Sequence, residues 1–553
     1  MKKIFLLFIF LFLFRIVFSQ NILSSGEIHG NFSMDAQYYN PDSSIGAPPV
    51  PEKMRMQGYS NLIYTNGNFS AGARYESYLN PLTGFDPRYK GSGIPYRFAS
   101  YKVDKLEVTV GNYYEQFGSG MILRAYEEKG LGIDNSLDGF RLKYVFHGIY
   151  LKGIVGTQRN YWGKGPGIVR GIDAEIHLNE LLVRENDSTF HPSKTEIIFG
   201  GSFVGKYQDG TQVTSGTSTL NVPQNVGAGS GRIGISRGKI NLNGEYVYKS
   251  QDPSAFNNYI YKPGQAVLVN ANYSEKGFGF YFGAKRIDNM SFKSDRNATG
   301  NDLNMNYIPS FTKQNTYSLL AFYPYGTQPN GEINYQSEIE MKIKKGTFLG
   351  GKYGTDLAFN VSQAYGLDTT HLNPATDSSR LGYKANYMGI GKLYFSDFNI
   401  EVSHKFSPKV KVLVVYANEI YDKDVIQNES GFGTVYANVG LTEVTYHFKG
   451  SKFLRMEFQE LYTKQDFGSW AMSLAEYGAG EHWLLSAFDQ YNYGNDIASA
   501  RVHYYTGAIT YLKDATRISL GYGRQRSGIF CVGGVCRQVP ASNGISLSVT
   551  TTF

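Results

Sequence analysis

The chain has 553 residues, 15% of them aromatic, with 44 Tyr, 63 Gly and two cysteines. A mean hydropathy of −0.32 is too polar for a bundle of membrane helices, and aromatics recurring throughout exclude a disordered chain. A net charge of +7 is too weak over this length to argue for nucleic acid or an acidic polymer as partner.

The first stretch reads as a removable export signal, residues 1–19. Lys2 and Lys3 precede the apolar run Ile4 to Phe14, and Val17-Phe18-Ser19 forms a small-residue cleavage site before Gln20. Arg15 leaves the greasy segment too short for a membrane helix. Cleavage removes three basic residues and leaves a net charge of about +4. No cysteine lies near that point, so no lipid-anchored terminus is expected. Beyond Phe18 no apolar run approaches the length a spanning helix needs. A wall of strands reconciles the polar mean with the tyrosines, because only one face of each strand must be greasy and tyrosines collect at the interfaces. The competing reading, a secreted sandwich or propeller, has no use for that tyrosine load.

Glu27 to Tyr39 is the first predicted strand, with Ile28, Phe32, Met34, Ala36 and Tyr38 on one face and Glu27, His29, Asn31, Ser33, Asp35 and Gln37 on the other. The proline-rich segment Asn40 to Gln57 is a loop, and the strands Tyr59 to Thr65 and Asn68 to Tyr78 are joined by Asn66-Gly67, a strong hairpin signal. From there the chain repeats a strand, a long polar loop, a strand and a tight turn. The turns fall near Asp104-Lys105, His147-Gly148, Arg237-Gly238, Glu275-Lys276-Gly277, Lys344-Lys345-Gly346, Ser407-Pro408, Lys449-Gly450, Gly478-Ala479-Gly480 and Lys513-Asp514. Leu182 to Ser193 is a longer connection of the same parity. Eleven hairpins between a first and a last strand predict about 24 strands, within a range of about 18 to 26, an even number as single-chain barrels require.

The expected fold is therefore all-β: a transmembrane antiparallel up-and-down β-barrel with short periplasmic turns and long extracellular loops, forming one domain over residues 20–553. In Glu332 to Ile343 the positions Ile333, Tyr335, Ile339, Met341 and Ile343 meet lipid, while Glu332, Asn334, Gln336, Glu338, Glu340 and Lys342 face the lumen. Tyr394 to Phe406 turns Phe398, Ile400 and Val402 outward and Asp397, Asn399, Glu401 and Ser403 inward. Lys452 to Tyr462 sends Leu454, Met456 and Phe458 out against Arg455, Glu457 and Gln459. The last strand, Gly544 to Phe553, alternates Ile545, Leu547, Val549, Thr551 and Phe553 with serines and threonines. Its terminal aromatic, Phe553, resembles the outer-membrane sorting signal.

Three loops carry candidate sites. Glu115 to Asp138 holds Met121, Ile122 and Leu123 in a row beside Arg124, Glu127, Glu128 and Lys129, more apolar surface than a water-bathed loop needs. It is expected to fold back into the barrel as a constriction, the alternative being a lid over neighbouring loops. Together with Glu338, Glu340, Asp397, Glu401, Arg455 and Glu457 it supplies the expected lumen lining. Within Ser291 to Thr316, Asp295-Arg-Asn297-Ala-Thr299-Gly300 begins like a calcium loop, but Asn306 stands where the bidentate glutamate belongs, so no metal is expected. Cys531 and Cys536 flank Gly533-Gly534; a two-residue primed turn there brings their Cα atoms to about 4.5 Å, a span a disulfide bridges. Export favours the bond, which pins a loop tip through a short ring.

No catalytic set emerges. His482 and Ser486 share a strand face about 13 Å apart, too far for a nucleophile and its base. No Gly-x-Ser-x-Gly elbow, His-Glu-x-x-His motif or phosphate loop is present, and the nine histidines are scattered singly. Neither enzyme activity nor a cofactor is expected.

The Ser-Gln cleavage site, the segment Gly111-Asn-Tyr-Tyr-Glu-Gln-Phe-Gly-Ser-Gly-Met-Ile-Leu-Arg124, the Cys-Val-Gly-Gly-Val-Cys-Arg537 loop and Phe553 together resemble an uncharacterised group of Bacteroidota outer-membrane barrels. The resemblance implies fold and an integral outer-membrane location, and no ligand. It is unlike a TonB-dependent transporter, which carries a plug domain before its first strand. The expected role is a pore for polar solutes with the loop near Arg124 as selectivity element; the alternative is a self-plugged accessory subunit of a secretion, insertion or motility assembly. Expected partners are the bilayer and its lipopolysaccharide, the barrel-insertion machinery during biogenesis and other outer-membrane proteins, with no nucleic acid.

Overall fold

In this computed structural model the described residues are 26–182, 193–215, 218–373 and 377–553. The predicted export signal and most of the Leu182–Ser193 connection lie outside them. One antiparallel sheet of 24 strands closes on itself. The first strand, Glu27–Asn40, pairs with the second and with the last, Ser542–Thr552, in a register running from Asn31 opposite Thr552 to Asn40 opposite Asn543. Backbone hydrogen bonds in both directions between Gly30 and Phe553, 2.8 and 2.9 Å, extend that seam. No edge is left between the opening and closing strands, which removes the unpaired backbone groups that a bilayer cannot solvate.

Alternation decides which way each strand faces. Ile172, Phe203, Tyr246, Tyr416, Phe458 and Leu520 stand exposed on the outer surface, an apolar belt far larger than water tolerates on a soluble protein. Asp173, Glu245, Asn334, Asp397 and Glu457 point inward and are buried. One end of the barrel carries tight turns. Asp104, His147 and Asp514 adopt left-handed backbone conformations there, as two-residue hairpin connections demand. The other end carries the long connections.

Several boundaries differ from expectation, beginning with the loop predicted over Asn40 to Gln57, which ends early because the second strand is Met54–Asn66. The strand predicted from Tyr394 runs over Tyr383–Lys405, because its extension pairs, with register shifts, against the end of Thr355–His371. The turn expected at Lys344-Lys345-Gly346 is an eleven-residue connection, 344–354, between Ile343 and Thr355, with Phe348 fully exposed. The connection beginning at Leu182 is preceded by a short helix, Leu178–Leu182.

Candidate functional site: a lumen filled by two internal segments

Two long connections turn inward. Residues 114–136 join the strands Leu106–Tyr113 and Leu137–Phe146, and residues 289–330 join Phe278–Asp288 and Gly331–Ile343. Met121, Ile122 and Leu123 are buried with Phe117, Met290, Phe292, Met305 and Phe311 against the inward side chains Val169, Val204, Ala228, Val247 and Ile287. Across the lumen, Leu319, Leu320, Phe322, Tyr323 and Tyr325 pack on Ala364, Val415, Ala417, Ala437, Val439 and Leu461. Apolar burial of this kind contributes about 1.5–3 kcal/mol per large side chain. The loop weighed in sequence over Ser291 to Thr316, with its broken calcium pattern, is thus part of an interior element, 289–330. Its Asn306 amide donates to the backbone oxygens of Met121, at 3.2 Å, and Met290, at 2.7 Å.

The two segments are hydrogen-bonded to one another. Tyr307 N–H donates to Gly120 O at 2.9 Å, Arg124 N–H to Met305 O at 2.8 Å, and the Asn135 amide to Asn304 O at 2.8 Å. Polar wall residues hold them in place. Ser119 N–H donates to Glu245 Oε2 at 2.9 Å, and Leu319 N–H to Gln459 Oε1 at 2.8 Å. Glu332, fully buried, pairs with Lys285 at 2.6 Å and accepts from Tyr325 Oη at 2.5 Å and Gln328 N–H at 2.7 Å. Arg74 and Arg159 share Glu76 and Asp134, and Arg74 also meets Glu127 at 2.9 Å, so two wall strands grip the first segment through a buried ion cluster. Each buried charge there has an opposite partner, the condition under which such a cluster is tolerated.

The residues expected to line the lumen fall into separate groups. Arg124 is stacked 4.0 Å over the Tyr307 ring and 4.8 Å from that of Tyr126, and Glu128 caps a short turn by accepting from Gly130 N–H. Glu338 and Glu401 are drawn together by Lys313 of the second segment, at 3.7 and 2.5 Å. Asp397 accepts from Asn399 and stands directly across the strand pair from Glu419. Arg455 joins Glu457 to Glu443 and Glu476. Glu340 is exposed towards the short-turn end. Lys313, Arg74 and Arg159 were not singled out in sequence, and Glu332 was read there only as lumen-facing; what marks all four is their partners across the lumen.

The Cys531–Cys536 disulfide is present, its Cα atoms 4.1 Å apart. Positive φ at both Gly533 and Gly534 makes the expected primed turn. The hairpin tip is docked on the interior segments. Gly533 O accepts from Tyr307 Oη at 2.7 Å, Gly534 O from Thr327 N–H at 2.9 Å, and Arg537 Nε donates to Gly130 O at 2.6 Å. Beside it, a cavity of about 550 Å³ opens between Tyr89, Tyr161, Asp302 and Arg537.

Fold and interior together define a closed 24-stranded antiparallel barrel of the outer-membrane type whose lumen is occupied by its own connections. The chain belongs to the Family of unknown function (DUF6029), whose family model matches residues 1–553. No curated protein matches it. Among solved structures it is similar to OccAB4 of Acinetobacter baumannii, at 10% identity and a TM-score of 0.34, covering 96% of this chain and 100% of that one. It is also similar to the P pilus usher PapC translocation pore, at 8% and 0.41, covering 95% and 99%. A third similarity is to the siderophore receptor PirA from Pseudomonas aeruginosa, at 9% and 0.38, covering 95% and 80%. Identities and scores this low transfer nothing those proteins bind.

Proposed function

We propose that the protein is a non-enzymatic, self-plugged barrel of the outer membrane that serves as an accessory subunit of a larger envelope assembly, with its long loops outside the cell. The observation that carries this reading is the inner wall itself. Behind the second segment the inward faces of the strands Val410–Asp422 and Thr434–His447 carry an apolar patch, Val415, Ala417, Val439 and Leu441, bordered by Glu419 and Glu443, while Val414, Tyr416 and Tyr436 point outward. A wall meant to conduct water has polar inward positions; this one is built to be covered. Lipid and lipopolysaccharide would contact the outer belt, the insertion machinery would act during biogenesis, and other outer-membrane proteins would dock on the loops. The resemblance to Bacteroidota barrels supports an envelope of that kind.

A second reading, a gated channel for polar solutes, draws on the short-turn half of the lumen, where Glu340, Lys342 and Asp356 remain exposed. Electrical recording of the purified chain in planar bilayers, with affinity isolation from its native membrane, separates the two. Silence together with co-purifying envelope proteins is expected; stable conductance from the intact chain would favour the channel instead.

A further inference from the structure

At the short-turn end, away from both interior segments, one histidine is surrounded by carboxylates. His177 ends the strand Gly163–His177, Glu180 lies in the following helix, and Glu196 begins the strand Thr195–Tyr207. Glu175 and His177 share the inward face, since Ile172 and Ile176 between and before them are exposed outward. His177 Nδ1 lies 3.5 Å from Glu180 Oε1 and 3.6 Å from Glu196 Oε1, and the three ligand atoms are all within 4.8 Å of one another. These separations exceed a good hydrogen bond, and Nδ1 is enclosed with no hydrogen-bond partner. They approximate the edge of a tetrahedron with metal–ligand bonds of about 2.1 Å, an edge of about 3.4 Å.

The surroundings are those of a supported metal site. Tyr150 Oη donates to Glu180 Oε2 at 2.8 Å, leaving Oε1 turned to the histidine. Arg232 occupies Glu175 Oε1 at 2.8 Å, and Glu175 Oε2 faces His177 Nε2 at 3.7 Å. Glu175 thus stands on the side of the second imidazole nitrogen, beyond hydrogen-bond reach, where a carboxylate that closed in would fix the tautomer of a metal-bound histidine. We propose that His177 Nδ1, Glu180 and Glu196 bind a divalent cation of the zinc type, with Glu175 and Tyr150 as orienting partners. One imidazole and two carboxylates suit zinc, with a fourth position left for water. The cation would relieve the mutual repulsion of Glu180 and Glu196, the third carboxylate, Glu175, being already paired with Arg232, and would tie together the two ends of the connection that follows His177.

The test uses the full chain, folded in detergent, washed with chelator and then titrated with zinc; bound metal is measured by elemental analysis after desalting and by calorimetry. One zinc per chain is expected. His177→Ala and Glu196→Gln should abolish its retention, and Glu175→Gln should weaken binding about 10–100-fold. Heat-modifiable electrophoretic mobility identifies variants that keep the closed barrel, and Glu196→Gln, on a half-exposed side chain, gives the readout if His177→Ala does not fold. A chelator-washed wild type that takes up no zinc, or variants that retain as much as wild type, would overturn the site; the cluster would then be only a polar contact between one histidine and its neighbouring carboxylates.

Discussion

Glu332 shows how much a single carboxylate can organise. It lies on a wall strand with no exposed surface, neutralises Lys285 and accepts from two groups of the second interior segment. Removing one partner of a buried pair strands the other charge at a cost of about 3–5 kcal/mol. Glu332→Ala should therefore lower the urea midpoint of the folded barrel and open residues 312–330 to protease, while Glu332→Gln, which keeps an acceptor, should lose less. An unchanged midpoint would remove Glu332 from that role. Glu115 offers a second test through pH. Burial opposes its charge, but Lys152 and Lys143 at 3.1 and 3.0 Å outweigh burial and hold the carboxyl below its usual range. A depressed folded value means stabilisation present above the ordinary value of 4.5 and lost as pH falls through the lower one. Unfolding midpoints should thus drop as pH is lowered below about 4.5, more steeply in wild type than in Glu115→Gln; equal slopes would contradict the pairing.

Among elements, the strands were legible and the interior was not. Along Glu332–Ile343 and Lys452–Tyr462 the two-residue alternation of the sequence reappears as alternating burial, since the two faces of a barrel wall impose opposite chemistry on neighbouring residues. The interior segments obey no such period. Met121-Ile122-Leu123 drew notice as apolar residues in a loop, but Leu319-Leu320-Ala321-Phe322-Tyr323, an equally apolar run, was passed over within a long connection. Its partners lie far ahead in the chain, from Ala364 through Val415 and Ala417 to Val435, Leu441 and Leu461, so no local pattern announces it. The disulfide hairpin was read from spacing alone, yet its docking on Tyr307 and Thr327 was not. Its short ring limits the loop-entropy contribution to about 2 kcal/mol. Replacing both cysteines with serine should expose Gly528–Val539 to protease while leaving the global unfolding midpoint nearly unchanged; collapse of the barrel would show that the hairpin holds more than a tip.

For the whole molecule, closure and filling are separate achievements. Closure follows from the seam between the first and last strands, which leaves no backbone edge facing lipid. Filling follows from apolar patches on the inner wall that the segments cover and from buried polar wall groups that bind them, while the wall towards the short turns is polar and exposed. Shielding of that wall by the segments is the central physical point, and cysteine accessibility reads it directly. Val439→Cys, on the inward face with no exposed surface, should resist a small water-soluble thiol reagent in the intact folded barrel and react once residues 319–325 are deleted, whereas Glu340→Cys should react in both. Rapid labelling of Val439→Cys in the intact chain would mean that water already reaches the wall and that the lumen is not filled.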